Sequence, residues 1–177
     1  MQWFINAFEA IRDFIEMGGD VLFFIALLIL VMWVLIIERI VYINGSHRVQ
    51  LKQTTRAWGR RTDRASWNAH KIREAMISRV SLNVNRFLPL IKTLVALCPL
   101  LGLMGTVTGM IEVFDVMAFS GTGNARAMAS GVSKATVPTM AGMVGALSGV
   151  FATTWLSRKA NRDVAHLQNE LTIEHED

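Results

Sequence analysis

Four side chains with chemical capacity fall inside or at the rim of long apolar stretches: Thr106, Glu112, Lys134 and Thr139. A hydroxyl donates or accepts a hydrogen bond without carrying charge, and in a helix it commonly bonds back to a carbonyl of its own backbone. The two ionisable groups are harder to dismiss, because a charge inside a membrane span is costly and faces a protein interior or water. Glu112 lies near the outer end of the second apolar stretch and Lys134 near the outer start of the third. They are expected at similar depth, where they can pair within a chain or between neighbouring copies. The simpler alternative is that Lys134 extends to the outer surface. Pro138 cannot donate to the carbonyl of Lys134, which leaves that oxygen free to bind water.

The residues around them form two seams. Cys98, Gly102, Gly105 and Gly109 are spaced four, three and four, with Glu112 three later. Ala135, Thr139, Gly142, Ala146, Gly149 and Thr153 repeat the alternation. In lipid, helices associate by close packing, and small residues on one face let backbones approach. The spacing suits a left-handed, tightly packed bundle.

The elements that must carry these seams follow from hydropathy. The chain has 177 residues, 52% apolar and 18% charged. The reading is an all-α, integral membrane helical bundle with three transmembrane helices and a cytoplasmic helical extension. The spans are expected at 20–43, 87–119 and 132–156, each long enough to cross about 30 Å of hydrocarbon at roughly 1.5 Å per residue. Within the second, Glu112 reads as the in-span carboxylate.

Lys and Arg set the orientation. Segment 44–86 carries ten of them, the loop at 120–131 only Arg126, and the tail at 157–177 opens with Arg158, Lys159 and Arg162. The basic segment and the tail are therefore expected in the cytoplasm, with the N-terminus and the loop outside. Residues 1–19 have apolar side chains at helical spacing and read as an amphipathic helix on the outer boundary, with Gly18–Gly19 turning the chain into the first span. No cleavable signal peptide is expected, the first span acting as its own insertion signal.

Several function classes are disfavoured. The histidines His47, His70, His166 and His175 show no metal spacing, so neither a metal nor another cofactor is expected. There is no nucleophile elbow, and GTGNARAMASG (121–131) follows no strand, so it reads as a loop turned by Gly121 and Gly123. The chain is not expected to be an enzyme. The basic segment, despite Trp58 and Trp67, is explained by topology and by anionic lipid headgroups, without nucleic acid. Cys98 has no partner for a disulfide and reads as an apolar filler.

With these residues in view, CPLLGLMGTVTGMIEVF (98–114) and GVSKATVPTMAGMVGALSGVFATTW (131–155) resemble the MotA/TolQ/ExbB proton-channel family, closest to its ExbB branch. The resemblance implies an inner-membrane subunit that forms a homo-oligomeric ring, usually a pentamer, around the span of an ExbD/TolR-like partner carrying an intramembrane aspartate. Proton flux then drives motion passed to a TonB- or TolA-like protein, coupling the proton motive force to transport across the outer membrane. By the same resemblance, Thr106 and Thr139 line the pore; Lys134 and Glu112, placed near the outer end of the spans by the reading above, depart from the family's pattern as a charge exchange at the outer mouth. Gly102, Gly105, Gly109, Gly142 and Gly149 pack the helices. One departure stands out: relatives of the ExbB type often have glutamate where this chain has Lys134. A TolQ-like role in envelope integrity and a non-conducting scaffold ring are the alternatives.

Overall fold

Residues 21–37 are apolar without exception. Backbone polar groups in such a stretch can be satisfied in hydrocarbon by helix formation alone. The structure, a computed structural model, describes residues 2–61, 63, 66–120 and 125–171, with the backbone only at 2–18, 46, 120 and 125–127. Five helices follow in order: α1 (Gln2–Asn44), α2 (Ser46–Gly59), α3 (Trp67–Asn85), α4 (Leu88–Ser120) and α5 (Ala125–Glu170). No strand occurs among the described residues. Three stretches, within α1, α4 and α5, are long and apolar enough to cross a membrane. This is a multi-pass membrane protein.

Gly19 breaks α1 into two helical pieces at φ 61°, ψ −162°, a conformation that side chains with a Cβ seldom adopt. The side chains that would give residues 2–18 an amphipathic face lie outside the described residues, as do the turn residues Gly121 and Gly123 and the end of the tail with His175.

The chain divides into two compact units. The first comprises Met1–Trp33 and Lys92–Val150. Its buried side chains include Leu22, Ile25, Met32, Val95, Cys98, Ala135 and Ala146. Phe23, Phe24, Leu100, Leu103, Val107 and Val144 are exposed, as lipid-facing residues should be, because helix association in lipid is not driven by hiding apolar surface.

The second unit comprises Val34–Ile91 and Phe151–Asp177. Its core joins Trp58 of α2, Ala69, Ile77 and Val80 of α3, and Leu167 and Leu171 at the end of α5. Ser66 caps α3, its hydroxyl accepting from the Ala69 amide at 3.2 Å, which satisfies one of the helix's free donors. Arg73 of α3 ties down the end of α5, donating from Nε to the Leu171 carbonyl at 2.6 Å and from Nη2 to the Gln168 carbonyl at 2.8 Å. A cation there meets the negative end of the α5 dipole.

Two stretches differ from the expectation. Within the segment read only as a tail, α5 continues to Glu170 and packs. Leu156, Ala160, Leu167 and Leu171 are buried on one face, with Val164 partly so. Upstream, α5 begins at Ala125 rather than at residue 132. Ala and Met in this stretch are strong helix formers and override its polar content.

Candidate functional site

The seams of α4 and α5 meet in the first unit. A Cβ added at Gly109 would fall 2.7 Å from the Ala135 Cβ, and one at Gly102 would fall 3.0 Å from the Thr139 Cα. At Gly142 it would fall 2.5 Å from the Cys98 carbonyl oxygen, and at Gly105 it would strike the Pro138 ring. Backbones approach this closely only where side chains are absent. Gly149 instead faces side chains, Val95 Cγ2 at 2.5 Å and Met32 Sδ at 2.6 Å from such a Cβ.

The two threonines behave differently. Thr139 Oγ1 donates across the helix pair to the Gly102 carbonyl at 2.8 Å. Thr106 Oγ1 donates to Leu103 in its own helix at 2.7 Å. Both side chains are half-buried. Each hydroxyl has therefore used its single proton on a backbone carbonyl.

Glu112 and Lys134 are exposed, and neither makes an ion pair or a side-chain hydrogen bond among the described residues. Pairing within one chain is not realised among the described residues. Beyond Gly109 the packed face turns to Val113, whose side chain fills the space left by Gly131. Glu112 is left on its flank.

Sequence reasoning missed three features. Asp115 is a second, exposed carboxylate of α4, one turn beyond Glu112, so the expectation of one in-span carboxylate is corrected. The signal was plain in IEVFD (111–115). In the second unit, Arg39 is 2% exposed. Its guanidinium lies 5.0 Å from the Tyr42 ring and 4.6 Å from the Phe87 ring. It donates to the Asn83 carbonyl at 3.1 Å and pairs with Glu38 at 3.3 Å. Cation–π contact on two rings compensates a buried guanidinium that has lost water.

The third feature is His47 in α2, fully buried, with neither ring nitrogen hydrogen-bonded. Its Nε2 lies 3.6 Å from Asp163. Burial pushes its pKa below the ordinary value, Asp163 pulls the other way, and Lys159 adds to the lowering. Neither burial is visible in sequence, because each depends on which helices pack around the residue.

Residues 43–169 match the MotA/TolQ/ExbB proton channel family. The chain belongs to that family. Its ExbB-type relatives include a biopolymer transport protein of the ExbB-like kind from Synechocystis sp., 40% identical over 77 residues. That match covers 42% of this chain and 30% of the relative. The biopolymer transport protein exbB1 of Vibrio cholerae is 38% identical over 88 residues, 49% of this chain and 39% of that protein. The match thus spans roughly a third of the length of these relatives. The expected likeness to the ExbB branch holds on these matches.

Proposed function

We propose that the chain is an ExbB-like subunit of a proton-driven machine of the bacterial inner membrane. It works as a homo-oligomeric ring, a pentamer by analogy with the family, around an ExbD-like single-span partner. Its task is to couple the proton motive force to TonB-dependent transport across the outer membrane. In this reading the N-terminus is periplasmic, the C-terminus cytoplasmic, and the chain is not an enzyme.

One observation carries the reading. The central stretches 21–37, 93–111 and 135–157 contain no carboxylate, histidine, lysine or arginine. The polar side chains of the α4–α5 pair there are hydroxyls, Thr106 and Thr139 foremost. A proton crossing 100 mV releases roughly 2.3 kcal/mol, and using it needs a group that takes up the proton on one side and gives it up on the other. Thr106 and Thr139 cannot do so, and Glu112, Asp115 and Lys134 lie toward one end. The carrier is supplied by a partner, for which this helix pair provides a smooth, hydroxyl-bearing wall.

The test is a mild-detergent pull-down of the tagged chain from native membranes, with mass spectrometry and stoichiometry. A single-span protein bearing an aspartate early in its span, at fewer copies than this chain, is expected. Recovery of a homo-oligomer alone, even after crosslinking, would overturn the motor reading. A partner retained at full stoichiometry with normal flux in Thr106→Val and Thr139→Val would favour a scaffold ring instead.

A further inference from the structure

Between α2 and α5 the second unit holds an open cleft of about 720 Å³. One wall carries Arg48, Lys52 and Arg56, and the other Lys159 and Arg162. The α2 cations stand four residues apart, so they stack on one face over about 12 Å. Like charges at that spacing repel and weaken a helix. Among the described residues nothing relieves them: Arg48, Lys52, Arg56 and Arg162 make no ion pair or side-chain hydrogen bond there.

Two carboxylates, Asp163 and Glu170, share the cleft with these cations. Glu170 accepts from the Thr55 hydroxyl at 2.9 Å and pairs with His166 at 3.2 Å. Asp163 faces His47. Five cations against two carboxylates leave an excess of three positive charges on a concavity floored in part by Leu51 and Leu167, and apolar walls concentrate such a field.

We propose that this cleft binds a phosphate-bearing anion. Arginine forks and lysine ammonium groups suit phosphate oxygens, and the volume accommodates a diphosphate or a phospholipid headgroup rather than a single small ion. The Lys159 end favours the lipid source. Its Nζ donates to Asn44, the last residue of α1, and lies 5.1 Å from the Trp155 ring. A tryptophan beside the end of an apolar helix marks headgroup level.

Native mass spectrometry of the full chain in detergent tests this in two arms. Micelles are doped with dioleoylphosphatidylglycerol or with dioleoylphosphatidylcholine, and inorganic pyrophosphate is added to undoped micelles. Wild type is expected to retain the anionic lipid at least about tenfold over the zwitterionic one. The double variant Arg48→Gln/Arg162→Gln is expected to lose that preference. Arg48→Lys/Arg162→Lys is expected to keep most of it, and Arg60→Gln/Arg79→Gln, outside the cleft, to keep all of it. Pyrophosphate binding without lipid preference would support the same site with a soluble phosphate as its source. Absence of both, or equal losses in the two Gln pairs, would overturn the proposal. Neither arm needs a partner or ion flux, so failure here is separable from failure of the proposed function.

Discussion

Replacing Gly142 by alanine tests whether the α4–α5 contact is set by backbone proximity. The new Cβ would lie 2.5 Å from the Cys98 carbonyl oxygen and 3.3 Å from both the Cys98 carbonyl carbon and the Gly102 Cα. All three are backbone atoms, which no rotamer change can move. The helices must separate by about 0.5 Å or more, and a gap of that size already forfeits a quarter or more of each contact's dispersion energy along the seam. Overpacking of this kind costs about 1–3 kcal/mol. Alanine returns up to about 1 kcal/mol through its helix propensity. The expected net loss is roughly 1–2 kcal/mol, which for a chain of this size lowers Tm by about 2–8 °C. Thermal unfolding of the detergent-solubilised chain, followed by far-UV circular dichroism, reads it. Gly59→Ala is the internal control, because a Cβ there meets nothing within 4 Å; its Tm should hold or rise. If Gly142→Ala melts with wild type or above it, the close-approach reasoning is wrong.

Thr139→Val removes a hydrogen bond between two helices and should cost about 0.6–1.7 kcal/mol in the same assay, whereas Thr106→Val breaks a bond within one helix and should hardly shift Tm. Arg39→Ala should cost about 2–4 kcal/mol through the lost ring contacts and the charged hydrogen bond to Asn83; Arg39→Lys, which keeps the charge but not the flat fork, should fall between. His47 faces Tyr42 of α1 and Asp163 and Lys159 of α5, and its lowered pKa means that the unfolded chain binds a proton first as the medium is acidified. Stability should be full above about pH 6.5, decline by at most about 1.4 kcal/mol per pH unit below it, and level off beneath the folded-state pKa. In His47→Gln, melting curves across pH 5–8 should lose that component.

The membrane architecture is legible in the sequence because lipid imposes one solution on an unbroken apolar run such as 21–37. The α4–α5 seam is legible for a related reason, since in lipid small residues at 102, 105, 109 and 142 have few other uses. What escapes is the second unit. The burial of Arg39 is settled by Tyr42 and Phe87, and that of His47 by α5, so neither shows locally. The packing of the chain after residue 156 was readable: Leu156, Ala160, Val164, Leu167 and Leu171 recur at intervals of four and three. The run of charges from Arg158 to Arg162 masks it: Arg158 and Arg162 are exposed, and Lys159 lies half-buried at the edge of the packed face.

The hydrogen bond from Thr139 to Gly102 also fixes a polarity. A hydroxyl has one proton, and this one is spent on a carbonyl; Thr106 spends its own on Leu103. Each oxygen therefore turns only lone pairs toward whatever approaches. A carboxyl group reaching such an oxygen would share a proton with it as the acid and be repelled as the carboxylate. If a partner brings a carboxyl group to this helix pair, as proposed above, the two oxygens favour its protonated form over its carboxylate, and valine at either position would remove that preference.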